Sequence, residues 1–285
     1  MRRAAGRSPT AEVLRRPDRL YAGYALDLDG TVYLDDALLP GAAGAITALR
    51  DAGSRVVFVT NNPLRSKADY AARLTRLGVA ASADDVVTAL DSLVLYLAGR
   101  HRGAPVLTVS EPLVAETLRA AGHPVVTRPE EAGVVVVSFD RTFDYAKLHA
   151  AFRAVRAGAV IVATNPDPYC PTADGGLPDC AAMLAAVEAC TGEQAEAVLG
   201  KPGEHMAAAF LHRLGVPACD AVMVGDRLLT DIAMAVTAGT AGAVTLTGVT
   251  TPADLLHSAV RPDYVINGLP DLVPSSAGAS NQEFK

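Results

Sequence analysis

The chain has 285 residues, 50% of them hydrophobic and 20% charged, with a formal net charge of −6. That balance describes a globular protein long enough for one large or two medium domains. The acidic charge argues against a sequence-independent nucleic-acid surface, which needs a basic excess, but leaves room for a local basic pocket for a small anion. Cys170, Cys180, Cys190 and Cys219 form no C-x-x-C pair. They read as free thiols in a reducing cytoplasm rather than as a structural zinc site. No apolar run reaches the ~20 residues of a bilayer span. Neither nucleic acid nor membrane is therefore expected as a partner.

The N-terminal stretch carries Arg2, Arg3, Arg7, Arg15, Arg16 and Arg19. It lacks the apolar segment of a secretory signal and reads as a flexible basic tail over residues 1–20. The first strand is Ala25-Leu26-Asp27-Leu28-Asp29, ended by Gly30, which tolerates the positive φ of a sharp turn. Alternation puts Asp27 and Asp29 on one side of the extended backbone. Two like charges that close require an offset: a metal cation, a shared proton or a paired base. A helix from Pro40-Gly41 through Leu49 stops at Gly53. Val56-Val57-Phe58-Val59 is an apolar run typical of a strand buried on both faces, and it ends in Thr60-Asn61-Asn62-Pro63. A helix over about 65–77 stops at Gly78. Such strand–helix–strand units predict a parallel α/β sheet.

From about Val86 to Thr191 the chain builds something separate. Strands are expected at 106–109, 134–137 and 159–163, and helices at about 112–121, 145–157 and 180–190. Asn165-Pro166-Asp167-Pro168-Tyr169-Cys170-Pro171 through Pro178 is a Pro/Gly-rich loop, and long irregular loops in compact domains often bind ligands. Asn165, Asp167 and Tyr169 are its candidates for substrate specificity. The α/β pattern then resumes. Val198-Leu199 leads to Gly200-Lys201-Pro202, and a helix covers about 204–214. The strand Val222-Met223-Val224 ends in Gly225-Asp226, with a helix over about 230–238 and strands at 243–246 and 264–266. The last stretch, from Ser275 to Gln282, reads as a disordered end.

Four strand ends thus carry Asp27/Asp29, Thr60/Asn61, Lys201 and Asp226. In an open parallel sheet, ligands bind beyond the carboxyl ends of the strands. The acidic groups suit a hard cation such as Mg²⁺, and Thr60, Asn61 and Lys201 suit an anion. Together they point to phosphoryl transfer. One carboxylate attacks phosphorus and becomes an aspartyl-phosphate. Mg²⁺ cancels the repulsion between nucleophile and phosphate. Lys201 and the Thr60/Asn61 donors hold the equatorial oxygens. The second aspartate handles the leaving-group proton and then the hydrolytic water. Lys201 is no P-loop lysine, because Ala195 stands where that motif needs Gly and Pro202 where it needs Ser or Thr.

The sequence resembles the haloacid dehalogenase superfamily of phosphatases. Asp27-Leu28-Asp29-Gly30-Thr31 looks like its first motif, Thr60-Asn61 the second, Lys201 the third, and Gly225-Asp226-Arg227-Leu228-Leu229-Thr230-Asp231 the fourth, in the family's order. More narrowly it resembles the NagD-like, p-nitrophenylphosphatase-type branch (subfamily IIA), which inserts its cap between the second and third motifs. Thr60-Asn61-Asn62-Pro63-Leu64-Arg65, Ala163-Thr164-Asn165-Pro166-Asp167 and Gly200-Lys201-Pro202 carry that likeness. The resemblance implies a Rossmann-like three-layer core over 21–85 and 192–272 and an inserted α/β cap of type C2 over 86–191, while composition makes 273–285 a disordered end. It implies Asp27 as nucleophile and Asp29 as acid/base. Mg²⁺ would sit on the Asp27 and Asp226 carboxylates and the Asp29 carbonyl, with Asp231 behind them. The substrate class implied is a small phosphomonoester: a sugar phosphate, glycerol phosphate, phosphoglycolate, pyridoxal phosphate or nucleoside monophosphate.

One departure stands out. The branch often shows Pro-Gly-x-Gly before the helix that closes the cap segment, and here the chain reads Pro178-Asp179-Cys180-Ala181. Asp179 is therefore a candidate specificity residue facing the substrate, with a solvent-facing turn as the plainer alternative. Two other functions stay open: a phosphotransferase or mutase using the same aspartyl-phosphate, and a non-enzymatic aspartate-phosphorylated sensor. A dehalogenase fits less well, since those relatives lack the second aspartate. An apolar cap surface is compatible with a homodimer.

Overall fold

The computed structural model describes residues 14–170 and 175–274. The basic segment 1–13 and the end 275–285 lie outside the described residues. The chain divides into two compact units, one formed by Met1–Val59, Leu74–Ala81 and Phe210–Lys285, the other by Thr60–Arg73 and Ser82–Ala209.

In the first unit, parallel strands run in the order Tyr264–Ile266, Ala241–Thr245, Ala221–Gly225, Gly23–Asp27, Arg55–Thr60. The chain leaves Gly23–Asp27 toward Arg55–Thr60 and returns later on the other side as Ala221–Gly225. The carboxyl end of Gly23–Asp27 is thus a topological switch point, where open α/β sheets place their ligands. All five residues of that strand are buried. The helix Ala42–Asp51 buries Ala42, Ala45, Ile46 and Leu49, the apolar stripe of a 3.6-residue period.

Residues 14–20 depart from the flexible tail expected over 1–20. Arg15 exchanges both backbone hydrogen bonds with Val265, each 2.9 Å, and so covers the outer edge of the sheet. Arg16 pairs with Asp271 at 3.0 Å, and the Arg19 guanidinium lies 4.3 Å above the Tyr21 ring. Arginine-rich composition hides such an anchor, because strand pairing uses the main chain and shows no side-chain signature.

The second unit holds a parallel sheet in the order Ala197–Val198, Val160–Ala163, Val134–Val137, Val106–Val109. Val135 and Val137 pack with Ala151, Ile161 and Val187. Their neighbours Val134 and Val136 pack with Leu90, Leu93 and Leu118. Alternate residues therefore feed separate cores, which is why the run is apolar throughout rather than alternating. The helices Tyr145–Arg156 and Cys180–Thr191 contribute to the first core, Ala89–Arg100 and Pro112–Ala120 to the second.

The helix Ala89–Arg100 is one that the sequence pattern does not predict. Apolar residues wrap that segment so widely that the helical period is blurred. Its start is nevertheless signalled by a capping box: the Thr88 N–H and hydroxyl both donate to the Asp91 carboxylate, at 2.8 and 3.0 Å. The Pro/Gly-rich loop also carries a short antiparallel ribbon, Tyr169–Cys170 against Leu177–Pro178. Among the described residues, no helix is long and apolar enough to cross a membrane.

The valine-rich sheet sets the stability of the second unit. Ile161, 1% exposed, sits at its centre. Ile161→Ala is expected to lower unfolding free energy by about 2–5 kcal/mol through lost burial and a residual cavity, read as a shift of the chemical-denaturation midpoint.

Candidate functional site

The strands Gly23–Asp27 and Ala221–Gly225 are parallel neighbours with Leu26 opposite Val224. Asp27 and Asp226 therefore emerge from adjacent strands at nearly the same level. One carboxylate oxygen each from Asp27, Asp226 and Asp231 lie within 4.8 Å of one another, and all three residues are buried. Asp231 arrives from a π-helical turn, Leu228–Ile232, ahead of the helix Ala233–Ala238. The sequence pattern predicts a single helix over about 230–238 instead. The wider turn carries Asp231 back to the strand end, where its Oδ2 accepts the Arg227 N–H at 3.0 Å. π-turns inside helices often mark functional positions.

Glycines make this convergence sterically allowed. A Cβ on Gly225 would stand 2.1 Å from Asp231 Cγ. One on Gly248 would stand 2.0 Å from Asp226 Oδ2, and one on Gly30 2.6 Å from that same oxygen. Gly30 also has φ of +85°, the left-handed region that favours glycine. Beside it, Asp226 Oδ2 accepts the Val249 N–H at 2.7 Å, and the Thr250 N–H reaches Asp226 O at 3.0 Å. Thr247 donates its hydroxyl to Gly30 O at 2.6 Å and lies 2.7 Å from the Thr245 hydroxyl. The sequence pattern does not single out the segment Thr247-Gly248-Val249. Its only signal is a glycine shortly after a strand.

Asp29 is half-buried and stands outside that trio of side chains. It occupies the tight loop after the first strand, which the Gly30 N–H closes onto Tyr33 O at 2.8 Å. Three buried carboxylate oxygens are the hard donor set that a divalent cation such as Mg²⁺ or Ca²⁺ takes, so the residues present fit such an ion.

The second unit brings together Asn61, Asn165, Asp167, Asp179 and Lys201. The Lys201 N–H donates to Asn61 Oδ1 at 2.7 Å, and Asn61 Nδ2 donates to Lys201 O at 3.2 Å and to Asp167 Oδ2 at 2.8 Å. Gly200, with φ of +74°, lets the loop approach: a Cβ there would stand 2.6 Å from Asn61 Oδ1. Asn165 donates to Asn61 O at 3.3 Å and accepts the Asp167 N–H at 2.9 Å. Lys201 is 4% exposed. The Thr60 hydroxyl accepts the Asn62 N–H at 3.1 Å, which leaves its own hydrogen to donate.

Asp179 is buried, 3% exposed. It caps the helix Cys180–Thr191, its Oδ1 accepting the Cys180 N–H at 2.5 Å and an Asn165 amide hydrogen at 3.4 Å. Asp179 thus occupies the N-cap position of that helix and binds its first N–H. Tyr169 is 42% exposed. Burial pushes the Cys180 thiol up to about 11, so it is protonated at neutral pH and unsuited to nucleophilic chemistry.

Family models match the chain twice: haloacid dehalogenase-like hydrolase over residues 24–124 and HAD-hydrolase-like over 198–272. The sugar-phosphatase AraL of Bacillus subtilis is 34% identical over 251 residues, 88% of this chain and 92% of AraL. The 4-nitrophenylphosphatase of Thermotoga maritima superposes with a TM-score of 0.83 at 35% identity, covering 91% of this chain and 97% of that one. The glycerol phosphate phosphatase of Mycobacterium tuberculosis, solved in complex with magnesium, has a TM-score of 0.83 at 36% identity over 91% of this chain and 78% of that one. The same enzyme has also been solved with calcium. The chain belongs to the haloacid dehalogenase-like hydrolases, in their NagD-like, p-nitrophenylphosphatase-type branch.

Gly248→Ala forces the Asp226 carboxylate aside and is expected to weaken divalent-cation affinity by about 10–100-fold, read by calorimetric titration. Gly44→Ala, at a position with nothing within 4 Å of a new Cβ, serves as the matched control. In thiol labelling of the folded protein, the exposed Cys190 and Cys219 are expected to react quickly and Cys180 only on unfolding.

Proposed function

We propose that this phosphoric monoester hydrolase dephosphorylates a small metabolite of the sugar phosphate or glycerol phosphate kind, through an aspartyl-phosphate and with Mg²⁺. The observation that carries the reading is the buried trio Asp27, Asp226 and Asp231 in its glycine setting. Buried like charges of this kind suit a cation and a charged reactant. The names of the relatives, sugar-phosphatase and glycerol phosphate phosphatase, support the substrate class.

Asp27, Asp226 and the Asp29 carbonyl would hold Mg²⁺, which would supply neutralising charge for the meeting of carboxylate and phosphate. Asp27 attacks phosphorus as its bond to the leaving oxygen breaks, and Asp29 gives that oxygen a proton. Asp29 then takes a proton from the water that hydrolyses the aspartyl-phosphate, which restores both carboxyl groups. Thr60 and Lys201 meet the phosphoryl oxygens, Asn61 serves with them, and Asp231 steadies the cation's surroundings. Residues 86–191 act as the cap segment that selects the leaving group, with Asn165, Tyr169 and Asp179 at its specificity loop. The free thiols of Cys180, Cys190 and Cys219 are in keeping with a cytoplasmic setting.

Phosphate release from a panel of phosphorylated metabolites and p-nitrophenyl phosphate tests the reading. Turnover is expected with Mg²⁺, to stop with EDTA and to return on adding Mg²⁺. Asp27→Asn is expected to abolish it while the folded CD spectrum persists. Retention of most turnover in Asp27→Asn would overturn the nucleophile assignment, and a wild-type chain inert toward every ester would overturn the function.

A further inference from the structure

Asn61 and Asp167 form a device whose target is the backbone of Lys201. The Asn61 carboxamide addresses both main-chain groups of Lys201, accepting from its N–H at 2.7 Å and donating to its carbonyl at 3.2 Å. The amide has only one workable orientation. The Lys201 N–H demands an oxygen opposite it, which turns the NH₂ toward Lys201 O and Asp167. Both amide hydrogens are then spent, one on Lys201 O and the other on Asp167 Oδ2 at 2.8 Å.

Asp167 is itself tied down. Its N–H donates to Asn165 Oδ1 at 2.9 Å, Asn165 Nδ2 donates to Asn61 O at 3.3 Å, and the ring closes through Asn61 Nδ2. The Ala181 N–H donates to Asp167 O at 3.1 Å, which links the ring to the first turn of the helix Cys180–Thr191. Asn61 and Asn165 are buried, where hydrogen bonds to a charged acceptor are strong and an orphaned amide is costly. A side chain at position 200 would push the loop away from Asn61, and Gly200 has none.

We infer that Asp167 is a positioning residue, which fixes the main chain at Lys201 by orienting the Asn61 carboxamide, rather than a residue that reads the leaving group. The inference rests on the phosphatase reading for its kinetic consequence and on the hydrogen-bond ring for its structural one. A lysine that meets the phosphoryl group encounters the same chemistry in every ester. Its misplacement should therefore slow all substrates alike, whereas loss of a leaving-group contact should reorder them.

Asp167→Ala and Asp167→Asn separate these outcomes. Asparagine still offers Asn61 an oxygen, and alanine offers nothing. Amide hydrogen exchange by mass spectrometry over the peptide containing residues 199–203 is expected to quicken in Asp167→Ala and to stay near wild type in Asp167→Asn. Turnover of p-nitrophenyl phosphate, a sugar phosphate and glycerol phosphate is expected to fall in Asp167→Ala by one common factor, about 10–100-fold, with partial recovery in Asp167→Asn. Unchanged exchange at 199–203 in Asp167→Ala overturns the inference, as does a reordered substrate series. A wild-type chain inert toward all three esters overturns the phosphatase reading alone, and the exchange measurement still decides the positioning role.

Discussion

Three carboxylates buried within 4.8 Å of one another are the constraint around which the first unit is built. Folding alone gains nothing from them, because each loses hydration and each repels the others. Their proximity follows from topology. Two parallel strands end side by side at the switch point of the sheet, and a π-helical turn brings in the third group. Backbone composition then makes room. Gly30, Gly225 and Gly248 stand where any larger residue would collide with a carboxylate. The chemistry lies in the aspartates, but the permission for it lies in the glycines beside them.

The second unit solves a different problem. A lysine on a loop has a long, flexible side chain, and the loop itself must be held if the charge is to be held. Here the hold comes from Asn61 and, far along the sequence from it, Asn165 and Asp167, which together close a ring of hydrogen bonds. The sheet beneath that loop is doubly buried, with alternate valines of Val134–Val137 in separate cores. A sheet packed on both faces is the support that precise placement at its strand ends needs.

Much of this was legible in the residues. Val134–Val137 and Val106–Val109 stood out because buried parallel strands have no polar face. That Asp27 and Asp226 end strands could be read from apolar runs stopping at a carboxylate. Other features left no trace. Ala89–Arg100 lacks a polar face, so its period is blurred. The arginines at 15, 16 and 19 looked like a loose tail because composition does not report main-chain pairing. Thr247-Gly248-Val249 and the Asn61–Lys201 contact depend on residues far apart in sequence, and local patterning carries no information about such pairs. Asp179 has a contact that local pattern does not show, since its side chain accepts the first N–H of the helix Cys180–Thr191.

Asn61 grips peptide groups, and peptide groups are the same in every residue. Nothing in the contacts between Asn61 and residue 201 depends on which side chain that residue carries. The loop thus behaves as a socket whose shape is specified separately from what is plugged into it. Evolution can exchange the charge at that position for another without rebuilding the loop, and can retune the loop without touching the charge. In a family that shares one core over many substrates, that independence lets placement and chemistry vary on separate schedules.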